Sequence, residues 1–234
     1  VVDIHFLIDE AIARRVVELA DLSNGDVVFE VGAGEGFLTR IIAQKAHVIA
    51  VEKEEVVDLR NYANDRVSVI FGDAMEEVAH FHFNKVICNP PFTLLESLFR
   101  LLACIDFSCA VLIVPERFAH KAGKDFLFSS LYEIHPTFTI PPEKFHPPPK
   151  TNPLALLIKK RDDEKSLFAC ALLASRAKVR NFIVRYFEGR GLTKREAREK
   201  LCELGIPENI LEKRSETLIS RHMALVWEKI SRNT

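Results

Sequence analysis

A chain of 234 residues, 48% of them hydrophobic, is long enough for one full-sized domain with a small appendage and too short for two large ones. Its formal charge of -1 hides a split, because 18 basic and 11 acidic residues lie from Lys159 onward, so a basic tail follows an acidic body. No window reaches the roughly 18 uncharged apolar residues of a membrane span, no secretory leader opens the chain, and five scattered cysteines form no Cys-x-x-Cys pair, so the expectation is a cytoplasmic protein without membrane association, disulfide framework or metal site.

In chain order, Ile8, Ile12, Val16, Leu19 and Ala20 share one helical face, and Asn24-Gly25 supplies a turn. Five apolar, β-branched runs follow at residues 27–31, 48–51, 67–71, 86–88 and 110–114, with helical patterns between them at 37–46, 54–62 and 94–103. This alternation predicts an α/β fold with a doubly wound, mostly parallel sheet covered on both faces. Seven of the eleven prolines fall between Pro136 and Pro153, a density that predicts a stiff connector without regular structure. A last strand over 154–159 is expected to close the sheet. Beyond it the pattern is helical at 168–188, 194–204 and 215–230, which places a ligand-binding domain over residues 1–160 and a small all-helical domain over 161–234.

The chemistry collects at strand ends. Glu30-Val31-Gly32-Ala33-Gly34-Glu35-Gly36 joins the first strand to its helix, and glycines there allow a sharp turn and a close approach of backbone to ligand. A dinucleotide fingerprint would place its third glycine where Phe37 stands, so the spacing alone also suits a plain tight turn. Glu52, twenty residues beyond Gly32, ends the second strand, where a carboxylate can accept both ribose hydroxyl hydrogens. Asp73, after the third, can meet an adenine amino group or simply cap a helix. Together these strand ends describe a pocket for an adenosine-containing cofactor.

Asn89-Pro90-Pro91-Phe92 ends the fourth strand. The Asn89 side-chain oxygen and the Pro90 carbonyl can both accept from one amino group, and Phe92 offers a face on which a base can stack. An exocyclic amine is a poor nucleophile because its lone pair is delocalised into the ring, and accepting both its hydrogens favours the pyramidal form that attacks.

With these motifs in order, the chain resembles the KsgA-type family of ribosomal RNA small-subunit adenine N6-dimethyltransferases. His5-Phe6-Leu7-Ile8-Asp9 is similar to the family's opening motif, and Phe145-His146-Pro147-Pro148-Pro149-Lys150 to its late proline motif. The resemblance implies a Rossmann-like S-adenosyl-L-methionine-dependent methyltransferase. In it His5, Leu7, Gly32, Gly34, Glu52, Asp73 and Asn89 line the cofactor site, with Asn89, Pro90 and Phe92 catalytic. It further implies that Phe92 and Phe145 sandwich the target adenine, and that Arg176, Lys178 and Arg180 on the helical tail bind RNA. The partner implied is small-subunit ribosomal RNA or a pre-ribosomal particle, met by a monomer, with two adjacent adenosines near the RNA 3′ end as targets. The chain departs from the family at Ile4, where Gln is usual, and at Asn89 to Phe92, where Asn-Leu-Pro-Tyr is usual. Pro90 and Phe92 are closer to amino methyltransferases acting on DNA adenine or protein glutamine, which stands as the alternative acceptor class. A non-catalytic ribosome-assembly factor retaining the fold is the second alternative.

Overall fold

The structure, a computed structural model, describes residues 4–55 and 57–232; Val56, inside the helix expected over 54–62, lies outside the described residues. Two compact units emerge, residues 1–123 with 133–160, and residues 124–132 with 161–234. In chain order the elements up to residue 160 are β1 (Phe6–Leu7), α1 (Glu10–Glu18), β2 (Val27–Val31), α2 (Thr39–Ile42), β3 (His47–Glu52), α3 (Val57–Arg60), β4 (Val67–Phe71), α4 (Ala74–Glu77), β5 (Lys85–Cys88), α5 (Leu95–Leu102), β6 (Cys109–Pro115), α6 (Glu116–Lys124), α7 (Phe126–Leu131), β7 (Tyr132–Thr139), β8 (Phe145–His146) and β9 (Pro153–Lys160).

The first unit is built on a seven-stranded sheet in the order β4-β3-β2-β5-β6-β9-β7. Strands β2 to β6 run parallel to one another, and β9 runs antiparallel to β6. Parallel strands covered on both faces need apolar residues on both, and β6 accordingly reads Cys-Ala-Val-Leu-Ile-Val-Pro with every residue buried. Strand order reverses between β2 and β5, so the glycine turn and Asn89 leave the sheet on either side of its switch point, where ligands bind in open α/β sheets.

The proline-rich stretch is more regular than its composition predicts. β7 includes Pro136 and lies at the sheet edge, where a residue without an N–H breaks no interior ladder. β8 pairs antiparallel with β1, Leu7 opposite Phe145 and Phe6 opposite His146, so the late proline motif is bound to the opening motif. The bond from Ile8 N to Lys144 O at 2.9 Å and the ion pair of Lys144 with Asp9 extend the seam.

The second unit contains α7 with α8 (Glu164–Ala174), α9 (Val179–Glu188), α10 (Lys194–Glu203), α11 (Glu208–Leu211) and α12 (Ser220–Ser231). The single helix expected over 168–188 is two, because the chain is extended at Ser175 and Lys178. An aromatic cluster of Phe168, Phe182, Tyr186 and Trp227 joins α8, α9 and α12. Helix α7, which precedes residue 160 in sequence, belongs here: its capping residue Asp125 accepts from Ser220 Oγ at 2.6 Å.

Asp26 fastens the start of β2 to the start of β5. It is 7% exposed and accepts from Ser23 N at 2.6 Å and Asn84 Nδ2 at 2.7 Å, with Lys85 Nζ at 3.4 Å. Burial would raise its pKa, but these partners outweigh burial and hold it at about 2. Its contribution is therefore complete above the ordinary value of 3.8 and lost as pH falls through about 2. Lys85 Nζ also donates to Ala20 O and Asp21 O, at 2.6 and 2.8 Å, so Asp26→Ala leaves it partnered but strips Ser23 N and Asn84 Nδ2 of their charged acceptor, and is expected to lower the unfolding free energy by about 2 kcal/mol, read from urea denaturation at pH 7.

Candidate active site

Three glycines make the turn after β2. Gly32, Gly34 and Gly36 have φ of 69°, 56° and 83°, the left-handed region that side chains disfavour. A Cβ on Gly34 would stand 3.0 Å from the Phe6 ring and one on Gly36 would stand 2.7 Å from the Tyr62 ring, so side chains are crowded out at these two positions, while at Gly32 the backbone angle alone favours glycine. Gly32 N and Ala33 N donate to Val51 O at 2.9 and 3.1 Å, and Gly34 N donates to Glu52 Oε2 at 2.8 Å. The end of β3 thus holds the turn in place.

Glu52 is half-buried, and its Oε1 also accepts from Lys53 N at 2.7 Å. Oε1 accepts a second bond from Glu54 N at 3.3 Å, so these contacts fix the carboxylate's direction and leave its free acceptor capacity on Oε2, each carboxylate oxygen offering about two acceptor sites. Asp73 takes up the capping alternative: Oδ1 accepts from Met75 N at 3.0 Å at the start of α4, and Lys53 Nζ lies 3.4 Å from Oδ2. Capping uses one oxygen, so Asp73 can cap and still present the other at the same sheet edge.

At the end of β5, Asn89 Nδ2 donates to His5 O at 2.6 Å. A carbonyl can only accept, so the amide's NH2 must be the group turned toward His5, which leaves Oδ1 as an acceptor. Neither Asn89 Oδ1 nor Pro90 O accepts a hydrogen bond among the described residues. The His5 ring lies 5.5 Å from the Phe92 ring, and His5 Nδ1 is 2.8 Å from Pro147 O. Opening motif, strand-end motif and late proline motif therefore meet at one place.

Two residues expected at the site do not present their side chains there. Leu7 and Phe145 are 4% and 2% exposed and lie opposite each other across β1 and β8 in the core. The expected sandwich of Phe92 and Phe145 is therefore not the arrangement observed: the ring beside Phe92 is His5. The three residues expected to contact RNA differ in their surroundings. Lys178 pairs with Glu212 at 2.5 Å, and Arg180 pairs with Glu208 and, through Nε at 2.8 Å, with Glu212. Their charge is largely neutralised by α11, whereas Arg176 is exposed with no ion pair among the described residues.

Glu30 went unremarked as an acid because it sits within the glycine motif, although a carboxylate inside the apolar run Val-Val-Phe-Glu-Val was a visible signal. It is 1% exposed and accepts from Thr39 Oγ1 at 2.6 Å. Burial, reinforced by the charge of Glu52, pushes its carboxyl up to about 8 despite the Thr39 bond. At neutral pH it is mostly an uncharged group beside the glycine turn.

The chemistry of this donor set fits S-adenosyl-L-methionine: a glycine cradle a Cβ would fill, a fixed carboxylate at Glu52, and a second at Asp73. Among the described residues no cluster of three metal-ligating side chains occurs, and no helix is long and apolar enough to cross a membrane.

The family model and the curated relatives agree on one family. The family model for ribosomal RNA adenine dimethylase matches residues 3–167. A curated relative from Pyrococcus abyssi, "Probable ribosomal RNA small subunit methyltransferase A", is 31% identical over 192 residues, which cover 75% of this chain and 71% of the relative. A relative of the same name from Methanococcoides burtonii is 29% identical over 246 residues, covering 95% and 89% of the two chains. Among solved structures, a dimethyladenosine transferase from Plasmodium falciparum aligns with a TM-score of 0.65 at 18% identity, over 97% of this chain and 98% of that one. The 23S rRNA methyltransferase ErmE aligns with a TM-score of 0.61 at 16% identity, over 97% and 99%. At these identities the structural likeness is one of fold.

The raised pKa of Glu30 has a stability signature. Its contribution is full below the ordinary value of 4.5 and is lost as pH rises through about 8, because charging it in place opposes folding. Glu30→Gln, neutral at every pH, is expected to remove that decline, at ~1.4 kcal/mol per pKa unit. Thermal unfolding of both proteins between about pH 5 and 9 measures it. Parallel curves would contradict the assignment.

Proposed function

Because the chain belongs to the ribosomal RNA adenine dimethylase family, we propose that it transfers methyl groups from S-adenosyl-L-methionine to N6 of adenine in small-subunit ribosomal RNA. The targets in this reading are two adjacent adenosines near the RNA 3′ end, met in a pre-ribosomal particle. The observation that carries it is the pair of idle acceptors at the end of β5, Asn89 Oδ1 and Pro90 O, beside the half-buried ring of Phe92.

The bound cofactor would supply a methyl group made electrophilic by its sulfonium. Glu52 would take the ribose hydroxyls, Asp73 the adenine amino group, and the backbone around Gly32 and Gly34 would allow the ligand close approach. Asn89 and Pro90 would then hold both hydrogens of the target amine and keep its lone pair aimed, a preorganised polar contribution of the kind that commonly accounts for much of an enzyme's rate. No strong base is needed, because the amine becomes acidic only as it is alkylated. The target base must leave its stack to reach these acceptors, at a cost of a few kcal/mol that stacking on Phe92 helps offset.

Labelled cofactor offered with unmodified small ribosomal subunits, free ribosomal RNA, DNA and whole-cell protein tests the acceptor. Label is expected in dimethylated adenosine of the ribosomal RNA. Label in DNA or in glutamine would move the activity to the other acceptor class, and bound cofactor without any transfer would leave a non-catalytic assembly factor. In the same preparation, Glu52→Ala is expected to weaken cofactor binding by about 2 kcal/mol in titration calorimetry.

A further inference from the structure

The basic surplus of the tail is not spread evenly. Of the six arginines from α8 to α11, three are matched, Arg180 to Glu208 and Glu212, Arg190 to Glu164, and Arg195 to Glu199, while Arg176 stands in the link between α8 and α9 without an ion pair among the described residues. Three others, Arg185, Lys194 and Arg198, are exposed and have no ion pair or side-chain hydrogen bond among the described residues, and all three line one cavity of about 240 Å³. The placement follows from helical spacing. Asn181, Val184, Arg185 and Glu188 recur at three- and four-residue intervals and form one stripe of α9, while Lys194 and Arg198 lie one turn apart on α10.

Glu188 is the one carboxylate among the lining residues, against three cations. Glu196 lies just inside α10, but its carboxylate is taken by the capping box with Thr193, accepting from Thr193 N at 2.8 Å. The groove therefore keeps a net positive charge with an amide donor, Asn181, beside it. Unmatched cations crowded into one concavity repel one another, and a polyanion relieves that repulsion while releasing its own counterions.

We infer that the groove between α9 and α10, lined by Asn181, Arg185, Lys194 and Arg198, is a binding site for the phosphate backbone of RNA. This rests on the proposed RNA substrate and relocates the contact from Lys178 and Arg180, whose charges are already matched, to cations that are not. Backbone recognition of this kind carries no base sequence; it positions the RNA.

The test is the salt dependence of binding to unmodified small-subunit ribosomal RNA transcribed in vitro. Neutralising three phosphate contacts in R185Q/K194Q/R198Q is expected to reduce the slope of log affinity against log salt by about 2 to 3. R185K/R198K should keep the parental slope, and R195Q, on the same helix but outside the groove and already paired with Glu199, should also leave it at the parental value. Should the triple variant lose its helical circular dichroism, the three single variants replace it, each expected to lower the slope by just under about one. If the parent binds RNA and neutralising the groove leaves its slope unchanged, the groove is not the site, and the RNA reading survives with its contacts elsewhere. A parent without RNA affinity at any salt overturns both.

Discussion

The hydrogen bond from the Asn89 amide to the His5 carbonyl ties together segments 84 residues apart and decides what the end of β5 can do. An asparagine amide left free can turn either its donor or its acceptor toward a ligand. Committing its NH2 to a backbone carbonyl removes that choice. His5 is itself held, with Nδ1 2.8 Å from Pro147 O and the neighbouring residues Phe6 and Leu7 paired with β8. The short two-stranded sheet thus acts on the site indirectly, by fixing the carbonyl that fixes the amide.

A second constraint lies one strand away. The left-handed turn at Gly32 to Gly36 can form only against a β3 end whose Val51 carbonyl and Glu52 carboxylate accept its N–H groups. Glu30 below the turn would add a second negative charge near Glu52, and its raised pKa keeps that charge small at neutral pH.

The parallel sheet was readable because each strand is a local apolar run and each strand end carries its own signature. Glu52, Asp73 and Asn89 stand at successive strand ends in the structure as their sequence positions implied. What escaped were features set by distant partners. Pro136 argues against a strand unless the strand is known to be an edge, and edges are a property of the whole sheet. Leu7 and Phe145 are buried because they face each other across 138 positions of chain. A count of basic residues in the tail could not show that Glu208 in α11 and Glu212, which caps it, come back to pair with Arg180 and Lys178. Identity of a residue type is local; whether its polar group is already satisfied is not.

The orientation of the Asn89 amide is tested most directly by single-turnover methyl transfer with saturating cofactor, comparing Asn89→Ala with the parent. The account predicts a protein that folds and binds cofactor nearly as well but transfers methyl roughly a hundredfold more slowly, as loss of one preorganised polar group does elsewhere. Transfer at the parental rate would contradict it and leave Asn89 to Phe92 as a structural turn.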